Sequence, residues 1–191
     1  MPRPREFDEQ HAIEQAMHAF WSNGYEATST EQLCEATGLG RSSIYNTFTS
    51  KHELFRKSLL HYFNTATQEQ IDLLDEPGNV RDKIRNLLNR TVADEYDNQH
   101  RGCFAVNTLA ELAGRDDEVS ADLRWDVDRY IVALRLTIES AQRDREIDPA
   151  KDSGALARFV HSTIGSLRLM ARAGAERAEA FAVVDVAMTA L

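Results

Sequence analysis

Residues 36–55 read ATGLGRSSIYNTFTSKHELF. Gly38 and Gly40 bracket a tight turn between two short helical stretches. Ahead of the turn, Ser29 and Gln32 have the spacing of a capping box, which opens a short helix that Gly38 ends. Behind it, the spacing predicts a helix over 41–48, and Ser50 fits the N-cap of a long helix reaching about residue 74. Leu33, Ala36, Leu39 and Ile44 are placed to pack the two short helices together. Two short helices joined by a glycine-containing turn form a helix-turn-helix, whose second helix enters a major groove with its N-terminal residues on base edges. Arg41, Ser42 and Ser43 hold those positions. An arginine pairs with guanine through two hydrogen bonds, and a serine donates or accepts. At Ser50-Lys51 the next helix begins, where free N–H groups and an ammonium suit a phosphate. An ordinary helical hairpin with a solvated polar face has the same outline.

The remaining composition narrows the choice. The chain has 191 residues, a net charge of -9 and 42% hydrophobic residues. That supports one good core or two small ones. In residues 1–56 the basic residues Arg3, Arg5, Arg41, Lys51 and Arg56 are outnumbered by acidic ones. A general polyanion-binding surface is therefore excluded, and any DNA contact must be local and geometric. Negative charge elsewhere favours solubility and discourages nonspecific binding. Arg3 and Arg5 belong either to a loose tail or to an arm that enters an adjacent minor groove. No run of about 18 apolar residues suggests a membrane span, and the first residues lack the apolar stretch of a secretory signal. Two cysteines, Cys34 and Cys103, suggest no disulfide framework and suit a reducing cytoplasm, the expected location.

Helical periodicity recurs and strand signals are scarce. Ile13, Ala16, Met17 and Phe20 make one stripe, which Asp8 is placed to cap and Gly24 to end. Leu123, Val127, Tyr130, Ile131, Leu134, Ile138 and Ala141 make the longest stripe. Leu156–Met170 and Phe181–Leu191 hold two more. The expected fold is all-α, with about nine helices. Residues 1–52 form a three-helix DNA-binding domain and residues 53–191 a larger domain.

The stretch GLGRSSIYNTFTSKHELF, preceded by FWSNGYEATSTEQLCEATG, resembles the TetR family of one-component transcriptional repressors, densely over about residues 7–57. The resemblance implies DNA-facing roles for Arg41, Ser42 and Ser43, a phosphate contact for Tyr45, and another for Lys51 at the start of the fourth helix. Thr28 and Thr30 lie where family members often touch the backbone. The family's second aromatic before Phe48 is Thr47 here, so only a hydroxyl remains for that contact. Beyond this region the resemblance is architectural. It implies a homodimer through the last two helices, a palindromic double-stranded operator, and a small-molecule effector pocket among the central helices. No metal and no cofactor is expected.

Residues 58–191 carry no GxGxxG, Walker loop, HExxH or GxSxG, and an enzyme is not expected. RGCFAVNTLAEL, residues 101–112, places Cys103, Phe104 and Asn107 at the start of a short helix. A thiolate there is favoured by the helix N-terminus and by Arg101. Glycine followed by cysteine at this place resembles a branch of the family with electrophile- and redox-responsive repressors. The alternative is that Cys103 is a small buried hydrophobe. Tyr62, Phe63, Trp125, Tyr130 and His161 complete the candidate pocket set, each also readable as plain core, and together they suit an aromatic or apolar ligand. Two rival functions remain open: a ligand-binding or interaction module with a vestigial DNA-binding domain, and an activator of the same fold.

Overall fold

The computed structural model describes residues 9–97 and 102–191. Asp8, the arginines of the N-terminal tail and Arg101 lie outside the described residues. In order the helices are α1 (Glu9–Asn23), α2 (Thr30–Thr37), α3 (Arg41–Phe48), α4 (Lys51–Tyr62), α5 (Gln68–Asp75), α6 (Val80–Asp97), α7 (Phe104–Leu112), α8 (Asp117–Arg143), α9 (Ser153–Arg172) and α10 (Arg177–Met188). A π-helical stretch, Phe63–Thr67, joins α4 to α5 in one continuous rod, so the described residues make nine helical rods, as the periodicity implies. Among the described residues there is no strand. No described helix is long and apolar enough to cross a membrane.

Local chemistry sets the helix ends. The Ser29 hydroxyl accepts from the Gln32 N–H while the Gln32 side chain accepts from the Ser29 N–H, the reciprocal box that opens α2. Gly38 ends α2 at φ 69°, a left-handed conformation that costs glycine little. Ser50 caps α4 through the Glu53 N–H at 3.0 Å. Asp116 and Asp152 do the same for α8 and α9, each at 3.0 Å.

Two apolar clusters hold the rods together. One joins α5, α6, α8, α9 and α10. The other joins α1 to α4 and also takes in Cys103, Phe104, Leu112, Val119 and Leu123. Residue 52 therefore lies within a rod whose α4 part serves the second cluster and whose α5 part, at Leu73 and Leu74, serves the first. Phe20, Phe55 and Phe104 are each at most 2% exposed, and burial of each contributes about 1.5–3 kcal/mol. Their rings meet edge to face, Phe20 on Phe55 at 5.0 Å and Phe55 on Phe104 at 5.7 Å between centroids. This aromatic run carries the N-terminal helices directly onto α7.

A polar seam closes the same junction. The His52 ring is 2.7 Å from the Asp116 carboxylate, and Arg56 reaches Asp122 at 2.8 and 3.2 Å and Glu118 at 3.1 Å. Farther along the rod, the π-helical stretch displaces its carbonyls from α-helical partners. Arg129 of α8 donates to the Phe63 carbonyl and pairs with Asp126 at 2.8 Å. Thr67 donates to the same Asp126 at 3.1 Å. Burial pushes the Asp126 carboxyl above its ordinary value against the pull of Arg129.

Candidate nucleic-acid interface and effector site

The outer face of α3 is polar because its inner face is used up. Ile44 and Phe48 are buried against Leu33 of α2 in the second apolar cluster. That turns Arg41, Ser42, Ser43 and Tyr45 to solvent. Gly40 precedes α3 and offers no side chain to cap it, which leaves its first N–H groups open to a phosphate. The Tyr45 hydroxyl lies 3.3 Å from Thr30 Oγ1, and the Arg41 guanidinium stands 5.8 Å from the Tyr45 ring centroid. The Thr30 hydrogen bond, then Arg41, hold the Tyr45 phenol below its ordinary value. Thr47 is half-buried on the same short helix. Lys51 Nζ sits 4.5 Å over the Tyr25 ring and 3.4 Å from the Glu26 carbonyl.

Thr28 departs from the expected set. It is 0% exposed, and its hydroxyl donates to the Gly24 carbonyl at 2.5 Å. The side chain braces the loop between α1 and α2 and does not reach the DNA-facing surface.

Cys103 lies at the N-cap of α7 and is 2% exposed. Arg168 of α9 donates from Nη1 to its sulfur at 3.0 Å, and the Tyr62 hydroxyl lies 3.2 Å away. Burial pushes the Tyr62 phenol well above its ordinary value. Burial works against the Arg168 charge, but Cys103, Tyr62, Tyr130 and Glu95 outweigh it and the guanidinium stays charged. Arg168 Nε is 3.8 Å from the buried Glu95 carboxylate. The sulfur thus stands between the Arg168 guanidinium and the Tyr62 hydroxyl. Cys103 and Arg168 form a wall between two spaces. Inside is a cavity of about 100 Å³ that Tyr130, His161, Thr67 and Asp126 also line. Outside is an open cleft of about 390 Å³ between α1, α7 and α9, with Trp21, Gly24, Asn107, Glu111 and Arg172 on its walls.

Comparison with known proteins agrees with both halves. Residues 12–58 match the family described as bacterial regulatory proteins, tetR family. Residues 82–185 match the tetracyclin repressor-like C-terminal domain. The chain belongs to the TetR family. The HTH-type transcriptional repressor ComR of Escherichia coli (strain K12) is 31% identical over 176 residues, 91% of this chain and 83% of that one. The uncharacterized HTH-type transcriptional regulator YezE of Bacillus subtilis (strain 168) is 26% identical over the full length of both chains. Among solved structures, a cysteine mutant of the TetR family regulator CifR, complexed with 26 bp double-strand operator DNA, is 32% identical with a TM-score of 0.86 over 98% of each chain.

As a TetR-family chain this protein is a DNA-binding transcriptional regulator. The structure sorts its expected effector residues into four groups. Cys103, Tyr130 and His161 meet at the inner cavity, the last two edge to face at 5.5 Å, and Tyr62 joins them through the sulfur. Asn107 faces the outer cleft and accepts from Arg172. Phe63 and Phe104 line neither space, because both are spent in the aromatic cluster. Trp125 is a correction: it is 49% exposed on the outside of α8, with the Arg129 guanidinium 4.9 Å from its ring.

Arg168 is the residue that sequence reasoning missed. A signal for it existed: His161 and Arg168 stand seven apart on the apolar stripe of α9, so both point to one face. Farther along α9 and α10, Phe159, Val183, Val186 and Ala187 line a shallow apolar groove, and Val186 is 70% exposed.

Proposed function

We propose that this chain is a homodimeric, cytoplasmic repressor whose residues 1–52 read a palindromic operator and whose residues 53–191 sense an effector. The observation that carries the DNA half is the polar outer face of α3, with Arg41, Ser42, Ser43 and Tyr45 exposed over an uncapped helix start. Thr30, Thr47 and Lys51 extend that surface toward the phosphates. The apolar groove of α9 and α10 supports pairing of two copies, which places two recognition helices about 34–36 Å apart. Operator selected from random duplexes tests this half. Half-sites one turn apart are expected, with binding lost in the Arg41→Ala, Lys51→Ala double variant. Unaltered binding by that variant contradicts it.

For the signal we infer an electrophile that adds to Cys103. The support is the sulfur's place at a helix N-terminus, with Arg168 donating to it and the Tyr62 hydroxyl beside it, behind an open cleft. The sulfur lone pair forms a C–S bond to an electron-poor carbon. Where that carbon belongs to an unsaturated carbonyl, its π electrons move to the oxygen, and a proton from solvent completes the adduct. The thiol proton leaves to solvent and no oxidant is used. A bulky adduct fits neither the small inner cavity nor the packed wall, so α7 must shift, and the shifted state releases DNA. Intact-mass analysis after limiting N-ethylmaleimide tests the reactivity: one label on Cys103 in the native chain is expected, and labelling only after unfolding refutes it.

A further inference from the structure

Helix α7 is tied to the N-terminal half at both ends. At its start the Trp21 indole N–H donates to the Gly102 carbonyl at 3.0 Å, one residue before Cys103. At its far end the Glu111 carboxylate spans two consecutive main-chain N–H groups, Tyr25 to Oε2 at 3.0 Å and Glu26 to Oε1 at 2.9 Å. These three residues belong to elements more than 80 positions apart, so the tie is tertiary. Gly24 makes room for it. Its φ is +85°, and a Cβ there would stand 2.8 Å from Glu111 Oε2. The pinned loop in turn holds Lys51, through the Tyr25 ring at 4.5 Å and the Glu26 carbonyl at 3.4 Å. Tyr25 is seated on Phe55 at 4.9 Å between ring centroids. Glu111 and Gly24 also line the cleft onto which Cys103 opens.

We propose that Glu111 is a positioning residue for operator binding: it sets the Gly24–Glu26 loop and, through it, the Lys51 ammonium, and it passes the displacement of α7 to that loop. Two charge-assisted hydrogen bonds from adjacent N–H groups fix both the place and the angle of a carboxylate. A helix of nine residues, about 13 Å long, moves as a rigid piece. A shift at Cys103 therefore reaches Tyr25 and Glu26 without passing through the long α4–α5 rod. The signal half of this inference rests on the Cys103 reading above; the positioning half does not.

The test uses the full chain, a selected operator duplex and N-ethylmaleimide. Glu111→Ala, Glu111→Gln and Gly24→Ala attack the tie from both sides. Amide exchange at Tyr25 and Glu26 is expected to quicken in Glu111→Ala while exchange in the α8–α9 core stays put. Operator binding is expected to weaken about tenfold, the scale of one charged hydrogen bond. That loss shrinks to about twofold or less when Lys51→Ala is already present, because Glu111 acts through Lys51. Glu111→Gln keeps one acceptor and falls between wild type and Glu111→Ala. Alkylation no longer releases operator from Glu111→Ala, although Cys103 labels at the wild-type rate. Unchanged exchange at the two amides, or an equal loss with and without Lys51→Ala, overturns the positioning role. Full release from an alkylated Glu111→Ala overturns transmission through it. If wild type holds its operator after alkylation, the Cys103 reading alone fails, and the exchange and Lys51 measurements still decide the role of Glu111.

Discussion

The recognition helix and the Cys103 site use arginine in opposite ways. On α3, Arg41 stands in solvent and its partner in the structure is a tyrosine ring. On α9, Arg168 is held between a thiol, two phenols and a carboxylate, with its side chain 15% exposed. Water screens the first charge, and little of the fold depends on it. The second is enclosed by protein, where unpaired charge costs several kcal/mol and every neighbour is adjusted to it. One region therefore gives function at small cost in stability. On the proposed reading the other binds function and stability together, which is what would let a chemical event there move the fold.

Arg168→Met is the severest way to break the comparison. It removes a mostly buried counter-charge and is expected to cost about 3–5 kcal/mol in denaturant unfolding, and to slow alkylation of Cys103. A loss near zero would place Arg168 with the surface arginines. Arg41→Ala reverses the pattern. Operator affinity is expected to fall by about 1–3 kcal/mol in an anisotropy titration, while unfolding changes by less than about 0.5 kcal/mol. Ser29→Ala sharpens the account of the DNA-facing end, since it removes the box that opens α2. A loss of about 1 kcal/mol is expected by thermal unfolding, with weaker operator binding because α2 carries Thr30.

The smallest effect concerns pH. Burial, with the Arg168 charge adding to it, holds the His161 imidazole below its ordinary value. The unfolded chain therefore takes up protons that the folded chain refuses as the pH drops. The stability of the neutral buried ring is complete above about pH 6.5, the unfolded value. It is lost progressively as the pH falls from there toward the lowered folded value. Unfolding of His161→Gln between pH 5 and 7 should show a flatter limb. An identical slope would mean that another group governs it.

The same contrast explains what the sequence made legible. The turn, the capping box and the start of α4 each depend on residues within a few positions, and Ser29, Gln32, Gly38 and Ser50 act as their spacing implies. The resemblance singled out Tyr45 and Thr30 separately, but that their hydroxyls stand 3.3 Å apart appears only in the structure. Thr28 misled because a threonine after a glycine turn serves equally as a brace, and only packing decides. The proposed effector site is assembled from α4, α7, α8 and α9, with Cys103 and Arg168 65 positions apart. Helical periodicity places a residue on a face, but not which face meets which. Trp125 shows the cost of that: it has the size of a pocket residue and lies outside. The Glu111 tie has no local signature, because its acceptor and its donors lie on separate elements.

The central claim is that a chemical event at Cys103 is read at α3. The direct measurement is the operator Kd of the native dimer before and after stoichiometric alkylation, in wild type and in Cys103→Ser. The expected result is a Kd raised at least tenfold by alkylation of wild type and unmoved in Cys103→Ser. A labelled wild type that holds its operator as tightly as before would contradict it.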